Sequence, residues 1–221
     1  MKKIFGILAY PAGHSLSPVM HGAGFETLGL DYAFEAWDIK PADLEKFMKN
    51  LKPLVEGFSV SMPHKETIIP FLDDLDDAAR AVGAVSCVYM RDGKYIGTNL
   101  DYMGVKGSLL ASEYASQHGL EGKKVIVLGA GGAAKAAVYG LLQLKMIPII
   151  FNRTVGKAVE VADQFSTRSN PIKAYAIEDL NKNFEDAEII INCTSIGFGK
   201  DEKIIPDDVF SHIKLSLDAV Y

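Results

Sequence analysis

Short apolar, β-branched runs alternate with helical patterns from one end of the chain to the other, which is the signal of an α/β protein assembled from parallel βαβ units. Ile4-Phe5-Gly6-Ile7-Leu8-Ala9 predicts a first strand. Ser17-Pro18 behind it predicts an N-cap with proline at the first helical position, opening a helix that runs to about Leu28. Tyr32 to Trp37 predicts a second strand, Pro41 opens another helix, and Gly57 to Ser61 forms a third strand. An acidic helical stretch follows over Asp73 to Ala81. Ala84 to Met90, the turn Arg91-Asp92-Gly93 and Lys94 to Gly97 then read as a hairpin.

A connecting helix is predicted from Asp101 to about His118, with Gly119 as its C-cap. The boundary between two parts falls near residue 101, giving domains 1–101 and 102–221. In the second part, Lys124 to Leu128 is a buried strand, Gly131 to Lys145 a helix, Ile147 to Phe151 a parallel strand and Thr154 to Phe165 a second helix. Ala187 to Asn192 and Leu215 to Val220 complete the strand pattern. The expected fold is an N-terminal α/β domain followed by a Rossmann-type, doubly wound α/β domain.

Composition narrows the classes of function. The 221 residues are 48% hydrophobic and 23% charged, an ordinary globular balance that excludes disordered and fibrous architectures. No apolar run reaches the roughly 18 residues needed to cross a bilayer, and Met1-Lys2-Lys3 is followed only by a short strand-like run, so neither a signal peptide nor a membrane anchor is expected. Cys87 and Cys193 form no CxxC pattern, so neither a disulfide scaffold nor a metal site is expected, and the setting reads as reducing and cytoplasmic. The net charge is -5, divided as -4 over residues 1–101 and -1 over residues 102–221, and no basic stripe suggests nucleic acid. The expected partner is a small-molecule substrate, bound by a monomer or homodimer.

The most specific chemical signal lies between a predicted strand and a predicted helix: Gly129-Ala130-Gly131-Gly132-Ala133-Ala134. Gly129 makes the tight turn, Gly131 lets backbone approach a pyrophosphate, and the helix N-terminus presents N–H groups and positive dipole. Where an NAD site carries a carboxylate, at the end of the next strand, the chain has Asn152-Arg153-Thr154, with Lys157 one turn later. A guanidinium that forks onto a 2′-phosphate and a neighbouring ammonium favour NADP.

Catalytic candidates in the first part sit at predicted strand ends. His14-Ser15-Leu16-Ser17-Pro18 places two hydroxyls after the first strand, and Ser59-Val60-Ser61-Met62-Pro63-His64-Lys65 places two more on one face after the third. Asn99 and Asp101 lie at the junction of the two parts, where Asp101 could equally cap the connecting helix. These segments, with Gly83-Ala84-Val85, the glycine motif, Asn152-Arg153-Thr154, Asn192-Cys193-Thr194-Ser195 and Asp218-x-x-Tyr221, occur in order across the whole chain, and in them the sequence resembles the shikimate dehydrogenase family. The resemblance implies NADP-dependent interconversion of shikimate and 3-dehydroshikimate, a step towards chorismate and the aromatic amino acids. It implies that Lys65 and Asp101 form the catalytic pair, that Ser15, Ser17, Ser59, Ser61, Ser86, Asn99 and Tyr221 line the substrate, and that Thr194 joins the cofactor-binding set.

Three departures from the family pattern stand out. Serine replaces the usual asparagine at Ser59 and Ser86; Ser61 and Leu100 stand where threonine is common. Serine keeps one donor and an acceptor but cannot grip a ligand bidentately. The family pattern also continues past the position of Tyr221 with a glutamine-bearing segment, so against it the nucleotide-binding half reads as incomplete. Alternatives on the same layout are a quinate/shikimate dehydrogenase of broader specificity, a folate dehydrogenase (disfavoured by the His-Ser-x-Ser-Pro segment), and a non-catalytic sensor of shikimate-like ligands.

Overall fold

In the computed structural model, which describes residues 2–51, 55–184, 186–196, 205 and 207–219, the chain divides after Leu100 into two units. The first contains β1 (Lys3–Ala9), α1 (Ser17–Thr27), β2 (Tyr32–Asp38), α2 (Leu44–Lys49), β3 (Val55–Val60), α3 (His64–Thr67), β4 (Asp74–Leu75), α4 (Asp77–Val82), β5 (Cys87–Arg91) and β6 (Lys94–Thr98). Its sheet runs β2-β1-β3-β5-β6-β4, with β1 parallel to β2 and β3, and with β5 antiparallel to both β3 and β6. The sheet is therefore mixed, because the hairpin at Asp92-Gly93, both at positive φ, folds β6 straight back on β5. One face buries Leu8, Val55, Phe58, Val60, Ile68, Val85 and Val88. On the other, Phe5, Phe25 and Tyr32 meet ring to ring at 5.4–5.6 Å and hold α1 on the sheet.

The second unit comprises α5 (Asp101–Leu110), α6 (Glu113–His118), β7 (Lys124–Leu128), α7 (Gly132–Gln143), β8 (Ile147–Asn152), α8 (Val155–Phe165), β9 (Lys173–Ala176), α9 (Leu180–Asn183), β10 (Ile189–Asn192), α10 (Asp207–Phe210) and β11 (Leu215–Asp218). All its strands are parallel, in the order β11-β10-β7-β8-β9. Counted from β7, that is the doubly wound 3-2-1-4-5 order, whose direction reverses between β7 and β10. Both faces of the sheet are covered: Val125 and Val127 of β7 enter one core with α7, and Ile126 and Leu128 enter the other with Phe151 and Leu180. Burial on both sides is why β7 reads as an unbroken apolar run. Each such side chain contributes about 1.5–3 kcal/mol. Among the described residues, no helix is long and apolar enough to cross a membrane.

Several expectations need correction. Helix α1 begins at Ser17, with Leu16 rather than Ser17 as its N-cap and Pro18 in its first turn. Ser15 Oγ accepts the Ser17 N–H at 3.3 Å, so the hydroxyl that serves the helix entrance lies two residues earlier than expected. The single connecting helix is two: Ser112 is extended, caps α6 by accepting the Ala115 N–H at 3.1 Å and donates to Leu109 O at 2.6 Å. Local side-chain bonding of this kind competes with helix continuation. The strand Lys173–Ala176 escaped the apolar pattern because it is a sheet edge with no fully buried residue, and Asp74–Leu75, only two residues long, lies inside the expected acidic helix. The predicted end of the last strand, Val220, lies outside the described residues.

At the N-terminal ends of the second sheet's strands, Glu188 gathers three partners. Tyr114 Oη donates to its Oε2 at 2.6 Å, Lys214 Nζ binds Oε1, and Lys123 Nζ lies 3.9 Å from Oε2. The Lys214 hydrogen bond, followed by that of Tyr114, pulls the Glu188 carboxyl down to about 2. Burial, reinforced by the carboxylate, pushes the Tyr114 hydroxyl up to about 12. A carboxyl depressed in the folded state stabilises it above its unfolded pKa and loses that contribution as pH falls through the folded value. Glu188→Gln should therefore lower Tm by a few degrees at neutral pH. The gap from wild type should close as pH falls from about 4.5 towards about 2, as followed by circular dichroism melts; a pH-independent gap would show that the charge is not what stabilises.

Candidate active site

The register of the first sheet brings its candidate residues to one edge. Ile7 pairs with Ser59, Ser59 with Cys87 and Cys87 with Thr98. The segments that follow β1, β3 and β6, and the one that precedes β5, therefore emerge side by side. Ser59 and Ser61 point away from the face that buries Phe58 and Val60, and both are half-buried.

Three consecutive residues tie these segments together. Val85 N–H donates to Lys65 O at 2.7 Å, Ala84 O accepts the Asn99 side-chain amide at 3.0 Å, and Ser86 Oγ accepts the Leu100 N–H at 2.8 Å. Ala84 and Val85 are fully buried, as is Asn99, and Ser86 nearly so. Bonds of this sort are obligatory, since a buried polar group left without a partner costs about 1–3 kcal/mol. The same segment thus fixes the backbone of half-buried Lys65 and the chain that leads into Asp101, the first residue of α5. The Ser86 hydroxyl supplies the acceptor that this chain geometry uses.

Next to Lys65, His64 is fully buried, and its Nε2 lies 2.7 Å from Ile39 O. A carbonyl can only accept, so Nε2 carries the proton. Its Nδ1 has no hydrogen bond among the described residues. Ser15, half-buried in the turn after β1, donates its N–H to Ala12 O at 3.0 Å. Tyr221 lies outside the described residues.

In the second unit, α5 is seated on α7. A Cβ on Gly140 would lie 3.0 Å from Tyr102 O, so the glycine permits the approach, and Tyr102 and Tyr139 meet edge-on at 5.0 Å. Asp101 is in this way carried by the helix that packs on the one expected to hold the dinucleotide. Strand β7 is followed by Gly129, whose φ of 110° is unfavourable for any residue with a side chain, and a Cβ there would lie 3.0 Å from Cys193 O. The loop after β10 crosses at this point, at the reversal of strand order. Gly131 caps α7 in an extended conformation, and, its chain neighbours aside, no atom of the described residues lies within 4 Å of a methyl built on it. The first intrahelical bond of α7 runs from Lys135 N–H to Gly131 O, which leaves the earlier N–H groups directed out of the helix end. Gly132 and Ala133 lie half-buried in that first turn, after half-buried Ala130.

Asn152 ends β8 and donates its amide to Thr154 O at 2.9 Å, shaping the turn that presents Arg153. Arg153, Thr154 and Lys157 are exposed, with Thr154 at the N-cap of α8. Neither cation has an ion-pair partner among the described residues. Thr194 belongs to a compact polar knot: its N–H and Oγ1 donate to Asn192 Oδ1 at 3.0 and 2.7 Å, its Oγ1 accepts the Ile196 N–H at 3.1 Å, and Asn192 Nδ2 donates to Asp218 Oδ1 at 3.0 Å. The knot pins the ends of β10 and β11 beside Gly129. Among the described residues, open space beside Gly131, a helix end whose first N–H groups are directed outward and two cations without an ion-pair partner fit the pyrophosphate and 2′-phosphate of NADP. His64, Ala84, Val85 and Asn192 lie within the segments that carry the resemblance, but sequence reasoning gave them no role, because each acts through a buried bond or the main chain.

Fold and site together define an α/β protein with a doubly wound dinucleotide-binding unit, the layout of a nicotinamide-dependent oxidoreductase. Residues 7–88 match the shikimate dehydrogenase substrate binding domain, and residues 110–210 match the shikimate / quinate 5-dehydrogenase domain. The chain is 39% identical over 202 residues to a shikimate dehydrogenase (NADP(+)) of Shouchella clausii, covering 91% of this chain and 72% of that one. It superposes on a shikimate dehydrogenase of Aquifex aeolicus with a TM-score of 0.86 at 33% identity, over 100% of this chain and 79% of the other. A Thermus thermophilus shikimate 5-dehydrogenase, solved with NADP(H) and shikimate, superposes with a TM-score of 0.80 at 29% identity, over 99% and 79% of the two chains. The chain belongs to the shikimate dehydrogenase family.

The two glycines of the turn should separate fold from ligand. Gly129→Ala forces a strained φ and a clash with Cys193 O, and should lower Tm measurably, at a cost of about 1–3 kcal/mol. Gly131→Ala should leave Tm unchanged and weaken NADP binding by roughly tenfold or more, because its methyl occupies only the space that backbone approach to the pyrophosphate requires. Thermal melts and NADP titration of both variants test this; an unchanged NADP affinity in Gly131→Ala would place the pyrophosphate elsewhere.

Proposed function

We propose that this chain is an NADP-dependent oxidoreductase that interconverts shikimate and 3-dehydroshikimate, serving the synthesis of chorismate and aromatic amino acids. The observation that carries the proposal is the Ala84–Ser86 segment, which holds both the Lys65 backbone and the Asn99–Leu100 chain that delivers Asp101, in a protein of this family. Ser15 and Ser17 supply hydroxyls at the N-terminus of an eleven-residue helix, a suitable setting for the substrate carboxylate. Ser59, Ser61, Ser86 and Asn99 serve the substrate's hydroxyls, and Tyr221 completes the substrate set.

Oxidation of a secondary alcohol removes a hydride from carbon and a proton from oxygen. NADP supplies the hydride acceptor. The chain's own task is to hold the alcohol and to take its proton: Lys65 Nζ receives it from the reacting hydroxyl, and the Asp101 carboxylate orients the amine and the hydroxyl. Gly129, Ala130, Gly131, Gly132 and Ala133 cradle the pyrophosphate, Asn152, Arg153, Thr154 and Lys157 hold the adenosine end, and Thr194 closes the crevice beside Gly129. The absence of a CxxC pattern in the sequence supports a cytoplasmic setting, where the protein works as a monomer or homodimer on small molecules.

The test follows nicotinamide absorbance with shikimate or quinate, each with NADP or NAD. Turnover of shikimate with NADP is expected, and no turnover with any pair would leave a binding protein. Lys65→Ala should reduce kcat by about 10²-fold or more with NADP affinity nearly unchanged. Asp101→Asn should behave alike, and the double variant should be little worse than either single one; near-wild-type turnover of Lys65→Ala would remove the proposed base.

Cofactor choice gives a second test. The Arg153 guanidinium gains charge-assisted hydrogen bonds of about 1.5–3 kcal/mol each from a 2′-phosphate, so kcat/KM should favour NADP over NAD by at least roughly tenfold. Lys157→Ala should only weaken that preference, because exposed ion pairs contribute about 0–1 kcal/mol. Arg153→Asp should reverse it, by repelling phosphate and offering the ribose an acceptor. An unmoved ratio in Arg153→Asp would mean that the phosphate lies elsewhere.

A further inference from the structure

Asp38 ends β2 opposite Ala9, the last residue of β1, and its residue is exposed. Beyond Ala9 the chain leaves the sheet and must reach α1 through a loop that carries Ser15 and leads into Ser17, the first residue of the helix. Asp38 Oδ1 accepts the N–H of Ala12 at 2.7 Å, and Ala12 itself is almost fully buried. Ala12 O accepts the Ser15 N–H at 3.0 Å, and Ser15 Oγ accepts the Ser17 N–H at 3.3 Å. An unbroken series of hydrogen bonds thus runs from the end of β2 to the two hydroxyl residues. The flanking ties, Ile39 N–H to Ala9 O and Tyr10 N–H to Met62 O, are main chain to main chain. Asp38 contributes a side chain, and a charged one, where a substitution can reach it.

We propose that Asp38 is a positioning residue for substrate binding: its carboxylate pre-forms the loop that presents Ser15 and Ser17. The inference rests on the reading of those two serines as substrate ligands. An acceptor bearing charge makes a stronger bond to a backbone N–H than a neutral one. With the loop already ordered, substrate binding does not have to supply the conformational entropy of fixing it. A carboxylate placed to touch a carboxylate substrate directly would repel it, so its useful direction is towards Ala12, where the structure has it. Because Asp38 is exposed and at a strand end, its loss leaves the core of the first unit intact. The effect belongs on shikimate KM and not on the chemical step or the cofactor.

The experiment measures shikimate KM, NADP KM, kcat and Tm for the full chain and for Asp38→Ala, Asp38→Asn and Ser15→Ala. Asp38→Ala should raise shikimate KM by about three- to tenfold, less than loss of a charge-assisted bond made directly to the substrate because the exposed carboxylate acts through the loop, with kcat and NADP KM within about twofold of wild type. Asp38→Asn keeps an Oδ1 acceptor and should recover most of the loss. A fall in kcat with unchanged shikimate KM would show a purely structural role, and an Asn variant as poor as the Ala variant would show that acceptance from Ala12 is not what matters. Either result overturns the proposal. If Ser15→Ala raises shikimate KM while Asp38→Ala does not, the positioning role fails alone. If neither moves it, the assignment of the loop as a substrate site fails and takes the proposal with it.

Discussion

Parallel strand pairing is the constraint from which the rest of this protein follows. Parallel neighbours end on the same side, so every loop that follows a strand in such a sheet is delivered to one edge without any contact between the loops themselves. In the first unit the pairing of β1 with β3, together with the hairpin that turns β6 back beside β5, collects the turns at 10–17, 61–65, 84–86 and 99–100. In the second, Leu128 pairs with both Asn192 and Phe151, which gathers the glycine turn, the Asn152–Thr154 turn and the Cys193–Thr194 loop. Hydrophobic burial stabilises the sheets, and the edges are left to carry chemistry.

Delivery to an edge is not yet geometry. The segments are held by a small number of buried polar bonds: Ala84, Val85 and Ser86 to Asn99, Lys65 and Leu100, and Asn192 to Thr194 and Asp218. Such bonds add modestly to net stability, about 0.5–1.5 kcal/mol each, but breaking one inside the protein costs more than it contributes. Their value here is specificity of position. Ser86 contributes to that position through its hydroxyl, which accepts the Leu100 N–H.

Legibility in the sequence followed the reach of the interactions. Strands β7 and β8 and the glycine turn were readable because burial on two faces demands an unbroken apolar run and because the turn itself is local. The Asn152-Arg153-Thr154 turn was readable for the same reason, whereas Lys65 and Asp101 were singled out only through the segments that resemble the family. Strand β9 was not, since an edge with only half-buried side chains leaves a faint pattern. The break between α5 and α6 was missed because Ser112 also suits a helix surface, and only its bonds to Leu109 and Ala115 decide against it. The N-cap of α1 fell on Leu16, which makes no side-chain cap bond, while Ser17 is already helical and gives its N–H to Ser15 Oγ.

By itself, then, the sequence determined the α/β class, the dinucleotide turn, the cationic end of β8 and the family to which the chain belongs, all carried by hydrophobic period or by residues a few positions apart. Tertiary structure decided the mixed order of the first sheet, the crossing of the Cys193 loop over Gly129, the burial of His64 against Ile39 and the support of the Ser15 loop by Asp38. Each of these joins groups that lie 25 or more residues apart in the chain. No local pattern encodes such a pairing, because which N–H meets which oxygen is settled only when the sheets have set the register.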